Sequence, residues 1–268
     1  MDKSREDLVR LHDEDWLRRQ KIAGKIVSHV LRNFADTVRS KPEDLSLKQL
    51  ERDALAYIRS VDCTPTFLGY HGFPGVVCLS VNQGLVHGIP TDYVLQDGDV
   101  VTMDVGVTYE GAIGDAAFTC VYGTAKSDEV IRMLKACQGA LDAAVGLVEV
   151  GKHLGLIGHT ISQEARRTGY GLVTLYGGHG LDYDKPHASP FVANRSQAFE
   201  GIRMQPGLAI AIEPMFVMGQ DSATKVLEDG WTVEAQDVGC HFEHSITLDN
   251  TGEVHLITGH DMQVEDYV

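Results

Sequence analysis

Positive charge is scarce in this chain. Of 268 residues, 23 are Lys or Arg against 38 Asp or Glu, leaving a formal net charge of −15 and a pI near 5.1. The basic residues are scattered and form no stripe, so binding to nucleic acid by itself is not expected. Cysteine is sparse and unpatterned: Cys63, Cys78, Cys120, Cys137 and Cys240 are odd in number and lack a CxxC pair. That usage fits reduced thiols and a cytoplasmic protein better than a disulfide framework. No run approaches the ~20 apolar residues of a membrane span, and Met1 to Arg10 is charged, so neither a membrane anchor nor a signal peptide is expected. Low-complexity stretches are missing too. A chain that is 43% hydrophobic and 23% charged can bury one substantial core without dividing into two domains. Several chemistries lack their motifs: there is no HExxH, no GxSxG elbow, no P-loop and no GxGxxG after a strand.

What is present begins with an amphipathic helix. From Asp13 to Phe34, Trp16, Leu17, Ile22, Ala23, Ile26, Val27, Val30 and Leu31 recur at helical spacing. A second helix is predicted from Ser46, where Ser46 and Gln49 form a capping box ahead of Leu47, Leu50, Ala54, Tyr57, Ile58 and Val61. Val76 to Val81 reads as a strand. In Val100 to Val107 the alternation puts Val101, Met103, Val105 and Val107 on one face and Asp104 on the other. Asp115 to Val121 reads as its hairpin partner, and a turn centred between Tyr109 and Glu110 places Asp104 directly opposite Asp115. Ser127 caps a third helix, and a fourth runs from Leu156 to Gly169. Strands follow at Leu208 to Glu213, where Ala209, Ala211 and Glu213 share a face, and around Glu243, where His241, Glu243 and Ser245 do. The pattern is α+β, in two halves of similar content with no detectable sequence repeat.

Five residues stand out: Asp104, Asp115, His179, Glu213 and Glu243, each in a short apolar or glycine-rich segment. Singly, each has a plainer reading. Asp104 would cap a turn, Glu213 before Pro214 would end a strand in solvent, and His179 among glycines would be an exposed loop histidine, as would His87 and His187. As a set they mean more, because four carboxylates converging in a core repel one another and lose hydration unless cations neutralise them. Two divalent ions cancel four negative charges, and oxygen ligands with one imidazole suit Mn, Fe, Co or Zn. A water bridging such a pair is a hydrolytic device. His241 and His244 form a His-x-x-His pair, but on a strand, which is wrong for a helical zinc site. Cys78, between Val77 and Leu79, reads as core packing rather than a nucleophile.

Eight segments together resemble the type I methionine aminopeptidases: Leu68-Gly-Tyr-His-Gly-Phe-Pro74, Ser80-Val-Asn82, Val86-His-Gly-Ile-Pro90, Met103-Asp-Val105, Gly114-Asp115, Gly178-His-Gly180, Ile212-Glu-Pro-Met215 and Phe242-Glu-His244. The resemblance runs from about Trp16 to about Gly259. It implies the pita-bread (creatinase/aminopeptidase) fold, with antiparallel sheets covered by helices in pseudo-two-fold halves. Residues 16–268 would form one catalytic domain after an N-terminal extension, residues 1–15. It further implies that Asp104, Asp115, His179, Glu213 and Glu243 hold two divalent metals, with Asp104 and Glu243 touching both ions or binding in a bidentate way. Glu213 would move the water proton, His87 would contact the scissile amide nitrogen, and His187 would polarise the carbonyl. Tyr70, Phe73, Cys78 and Trp231 would line a slot for the methionine side chain.

The implied substrate is the N-terminal methionine of nascent polypeptides with a small second residue. The ribosome is a candidate partner, and the expected state is a monomer. Three departures from the family pattern stand out: the loop Leu181 to Pro186 is one residue longer, Phe67 replaces a small residue or cysteine, and His241 replaces a more usual glutamine. The rivals are a proline-specific aminopeptidase of the same fold, which usually carries a large preceding domain where only 103 residues precede Asp104, and a non-catalytic peptide- or ribosome-binding relative.

Overall fold

A computed structural model describes residues 9–220 and 222–268. The chain opens with helices α1 (Glu14–Ser40) and α2 (Leu47–Ser60), then strands β1 (Thr64–Pro65), β2 (Cys78–Val81), β3 (Gly84–Val86), β4 (Asp99–Tyr109) and β5 (Ala112–Tyr122). Helices α3 (Asp128–Val145) and α4 (Gly155–Thr168) follow, and then β6 (Gly171–Leu172), β7 (Gly178–Asp182), β8 (Lys185–Val192), β9 (Ala209–Ile212) and β10 (Met215–Val217). The last strands are β11 (Thr224–Val226), β12 (Val233–Ala235), β13 (Gly239–His241), β14 (His244–Leu248) and β15 (Val254–Leu256). No helix among the described residues is long and apolar enough to cross a membrane. All five cysteines are free and buried.

Helix ends follow local chemistry. The Asp13 side chain accepts from the Trp16 N–H at 2.8 Å, and Glu14 and Asp15 sit in the first turn, where carboxylates favour the helix dipole. The helix continues past the expected Phe34 because Ala35 and Val38 extend the buried stripe and no breaker intervenes before Lys41, in the left-handed region at φ 49°. Ser46 caps α2 through the Gln49 N–H at 3.2 Å, but the Gln49 amide turns outward to Asp53, so only half of the expected capping box forms. Ser127 caps α3, and Gly169, at φ 84°, ends α4.

Residues 1–8 of the expected N-terminal extension lie outside the described residues. His12 belongs to the body: its ring stacks on Trp16 at 3.6 Å and Nε2 meets the Leu181 carbonyl at 2.8 Å.

Two antiparallel assemblies face each other. In the first, β4 pairs with β1 and β2 on one side and with β5 along its whole length on the other. The second is the five-stranded sheet β15-β14-β9-β7-β8, with β13-β10-β6 continuing from it and β11-β12-β3 alongside. Helix α1 covers β4 and β5, while α3 covers β9, β10 and β13 and packs against α4. Between the halves, the Glu243 N–H donates to the Ala117 carbonyl at 3.0 Å, a bond from β5 to the residue just before β14. One apolar cluster runs continuously through helices and sheets from Val27 to Tyr267.

Helix α1 approaches β5 closely because both carry glycine at the crossing. A Cβ on Gly114 would fall 2.8 Å from the Gly24 Cα, and one on Gly24 would fall 2.3 Å from the Ile257 carbonyl oxygen. Helix propensity favours alanine over glycine by about 1 kcal/mol, whereas overpacking against backbone costs about 1–3 kcal/mol. Gly24→Ala should therefore lower stability in a urea melt. A gain in stability would mean that α1 can shift without loss.

Candidate metal centre and pocket

Strand register brings the acidic residues together. In β4–β5 the turn is Glu110-Gly111, both at positive φ (46° and 80°), the mirror-image turn that matches strand twist. The turn thus lies one residue beyond the expected centre, and Asp104 pairs with Ala117 while Asp115 pairs with Gly106. Direct pairing of the two aspartates is corrected to a diagonal one. The offset is two residues, so both still point to the same face. Ala117, between Asp104 on one side and the Glu243 backbone on the other, contributes only a methyl group there.

The second assembly presents its residues by a single ladder. His244 pairs with Ile212 in β14–β9 and Met215 with His241 in β10–β13, with the Phe242 N–H to the Pro214 carbonyl at 3.3 Å bridging the gap. One step beyond the first pair, Glu243 lies across from Glu213. Alternation then puts Glu213, Met215, His241 and Glu243 on one face, and all four line the cavity. His179 is in β7 and buried, unlike the exposed loop histidine of its plainer single-residue reading. Its flanking glycines are required by close neighbours: a Cβ on Gly178 would meet the Ala211 carbonyl oxygen at 2.1 Å, and one on Gly180 the Ser189 carbonyl oxygen at 2.0 Å. Ser245 Oγ bonds the Asp115 backbone in both directions, at 2.9 and 2.7 Å, and Asn194 donates to the Glu213 carbonyl at 3.0 Å.

The resulting floor is electrostatically unfinished. Asp104 Oδ1, Asp115 Oδ1, Glu243 Oε1 and both His241 nitrogens are buried without a hydrogen-bond partner. Unpaired buried carboxylates are expensive. Burial, aided by neighbouring carboxylates, pushes Asp115 and Glu243 well above the usual range, and burial carries Asp104 to about 7 despite His241. Glu213 is the exception: burial raises it, but the imidazoles of His241, His179 and His187 together hold it below its ordinary value. Donor atoms of Asp115, His179 and Glu243 lie within 4.8 Å of one another. Orphaned oxygens with an imidazole at that spacing fit a divalent cation.

Above the floor is a cavity of about 330 Å³. Its lining includes Tyr70, Phe73, Cys78, His87, Asp104, Asp115, His179, His187, Glu213, Trp231 and Glu243, so the residues to which the family resemblance gave a site role meet in one place. Phe73 and Trp231 meet edge to face at 5.2 Å and form an apolar cluster with Phe67 and Cys78. Phe67 is accommodated by Gly106, whose hydrogen leaves room for the ring; a Cβ there would lie 2.7 Å from it. Burial raises the Cys78 thiol well above its usual value, consistent with packing rather than nucleophilicity.

His87 is held at φ 57°, a conformation uncommon outside glycine. His187 is at the rim, in β8, its ring packed between Tyr70 (5.5 Å) and His179 (4.6 Å). Loss of solvent pushes both imidazoles down, His187 to about 4. Both rings are therefore neutral near pH 7. His71, Leu175, Tyr176, Phe191 and Met215 also line the cavity and carried no role in the sequence reading. Met215 was accessible from the alternation that placed Glu213; the others sit on loops or bulged strands, where periodicity is silent.

A sequence profile of metallopeptidase family M24 matches residues 18–250. The methionine aminopeptidase of Mycoplasma capricolum is 33% identical over 247 residues, covering 91% of this chain and 96% of that protein. The crystal structure of methionine aminopeptidase from Rickettsia prowazekii superposes with a TM-score of 0.88 at 29% identity, over 94% of this chain and all of that one. An Xaa-Pro dipeptidase from Bacillus anthracis shares the fold at a TM-score of 0.75 and 18% identity, with 65% of its length covered. The chain belongs to metallopeptidase family M24 and has the pita-bread fold. Its buried Asp, Glu and His cluster is a divalent-metal site.

A raised native carboxyl stays protonated where its unfolded counterpart has ionised. For Asp104 this contribution to stability is full below the unfolded pKa and is lost as pH rises towards about 7, and Asp115 and Glu243 are shifted in the same direction. Chelator-stripped protein should thus gain more in Tm from added divalent metal at about pH 7.5 than at about pH 5, because cations replace the protons that the floor otherwise needs. An equal gain at both values would show that the carboxyls are already ionised without metal.

Proposed function

We propose that the protein is a metalloaminopeptidase that removes N-terminal methionine from peptides and nascent chains with a small second residue. The observation that carries this is one cavity with partnerless acids on its floor and aromatic side chains on its wall. The five residues Asp104, Asp115, His179, Glu213 and Glu243 would hold two divalent ions, among which Mn, Fe, Co and Zn all suit the donors. Bound metal would supply the positive charge that lowers the pKa of water and polarises a carbonyl.

The remaining chemistry falls to the chain's own side chains. Glu213, the acid held low, is ionised at neutral pH and can accept a proton from water and deliver it to the departing amine. His187, neutral at the rim, can donate an N–H to the substrate carbonyl oxygen, and His87 can hold the scissile amide nitrogen. Phe73 and Trp231, with Phe67, Tyr70 and Cys78, present apolar and aromatic surface suited to a flexible, polarisable thioether. The 33% identity to a methionine aminopeptidase, over nearly the full length of both chains, supports this reading over a proline-specific one.

The test is methionine release from Met-Ala-Ser beside an Ala-Pro peptide, using chelator-stripped protein with Mn, Fe, Co or Zn restored. Cleavage of the methionine peptide should require metal and fall by at least about 100-fold in Asp104→Asn. Hydrolysis confined to the Ala-Pro peptide would move the protein to the proline-specific branch. Trp231→Ala should narrow the preference for methionine over alanine at the first position by about 10-fold or more, the scale of lost apolar discrimination in a pocket. An unchanged ratio of kcat/KM values would remove Trp231 from the specificity wall.

A further inference from the structure

His241 carries more than its neighbours require. The residue is 1% exposed, and neither ring nitrogen makes a hydrogen bond among the described residues. Its backbone is pinned in both directions by Thr119: the His241 N–H donates to Thr119 Oγ1 at 3.1 Å, and the hydroxyl donates back to the His241 carbonyl at 2.7 Å. The ring therefore starts from a rigid strand and faces the acidic floor. A buried ring whose nitrogens lack well-formed hydrogen bonds is costly, and the polar groups that Nε2 faces are carboxylate oxygens.

The distances give it a partner. His241 Nε2 lies 3.3 Å from Glu213 Oε2 and 3.8 Å from Glu243 Oε2. On the opposite side, His179 Nε2 lies 3.6 Å from Glu213 Oε1 and 3.9 Å from Glu243 Oε1. The two glutamates thus present two pairs of oxygens, each faced by one imidazole nitrogen. Donors that share a cation at about 2.1 Å sit roughly 3.0 Å apart at octahedral angles and roughly 3.4 Å apart at tetrahedral ones. Both imidazoles are near that range, and His241 is the nearer.

We infer that His241 is a metal ligand, its Nε2 adding a second imidazole on the Oε2 side of Glu213 and Glu243, across from His179. The inference rests on the reading of the cavity floor as a metal site. His179 has the outer contact typical of a ligating imidazole, Nδ1 to the Gly180 carbonyl at 3.2 Å. His241 Nδ1 has none, which makes His241 the weaker ligand of the two. A second nitrogen donor in a set of oxygens shifts preference away from Mn and towards Co and Zn.

The experiment counts imidazoles directly. Wild-type protein, His241→Gln and His179→Gln are stripped with chelator, saturated with cobalt and examined by X-ray absorption at the cobalt edge, with thermal melts to show that each variant is folded. The wild type should show scattering from two imidazoles per chain, and each folded variant one. In calorimetric titrations, His241→Gln should weaken cobalt binding by about 10-fold or more and manganese binding by less. The wild-type count is decisive even if a variant does not fold. One imidazole per chain, lost in His179→Gln and kept in His241→Gln, would overturn the proposal while leaving the metal centre intact. No cobalt binding by the wild type would overturn both.

Discussion

Mutual repulsion among four buried or half-buried carboxylates is the constraint on which the rest of this structure depends. Asp104, Asp115, Glu213 and Glu243 converge from four strand segments onto one floor, and three of the four are pushed up in pKa, chiefly by burial and further by the carboxylates beside them. Among the described residues no Lys or Arg lines the cavity; the basic groups within reach are imidazoles. Such a floor is stable only when protonated or metallated. The surrounding fold is correspondingly rigid, with long paired strands, a glycine crossing beneath α1 and hydroxyls of Ser245 and Thr119 tying the donor strands together.

The same floor divides labour between groups that differ only in surroundings. Glu213 is the acid with imidazoles close by, and it alone is held low enough to serve as a base at neutral pH. His87 and His187 are drained of charge by loss of solvent, which suits them to hydrogen bonding rather than to carrying positive charge. Chemistry of proton transfer and chemistry of orientation are thereby assigned to different residues within one cavity of about 330 Å³.

Much of the fold was legible. The apolar spacing of α1 and α2, the Ser127 cap and the Gly169 stop are local signals, and each element formed where its signal lay. Strand alternation also gave the correct faces for Asp104, Glu213 and Glu243, since a period of two survives a register error of two residues, though not of one. The hairpin turn shows the limit. Its centre lies one residue beyond the expected one because Glu110 and Gly111, rather than Tyr109, adopt positive φ. A two-residue change in pairing left the faces untouched and altered which residues are opposite.

By itself the sequence determined the chemistry: which donors exist, that they exceed what the chain can neutralise, and that they ride on short apolar strands. Donor type is a property of residue identity, and strand phase is a property of neighbours, so both are local. Only the tertiary structure decided that His179 is buried on a strand, that Asp104 and Asp115 meet diagonally across β4 and β5, and that His241 faces the Oε2 atoms of Glu213 and Glu243. Those facts depend on register between segments more than a hundred residues apart, such as the bond from Glu243 to Ala117. No local pattern encodes the distance between two strands that meet only after the chain has closed on itself.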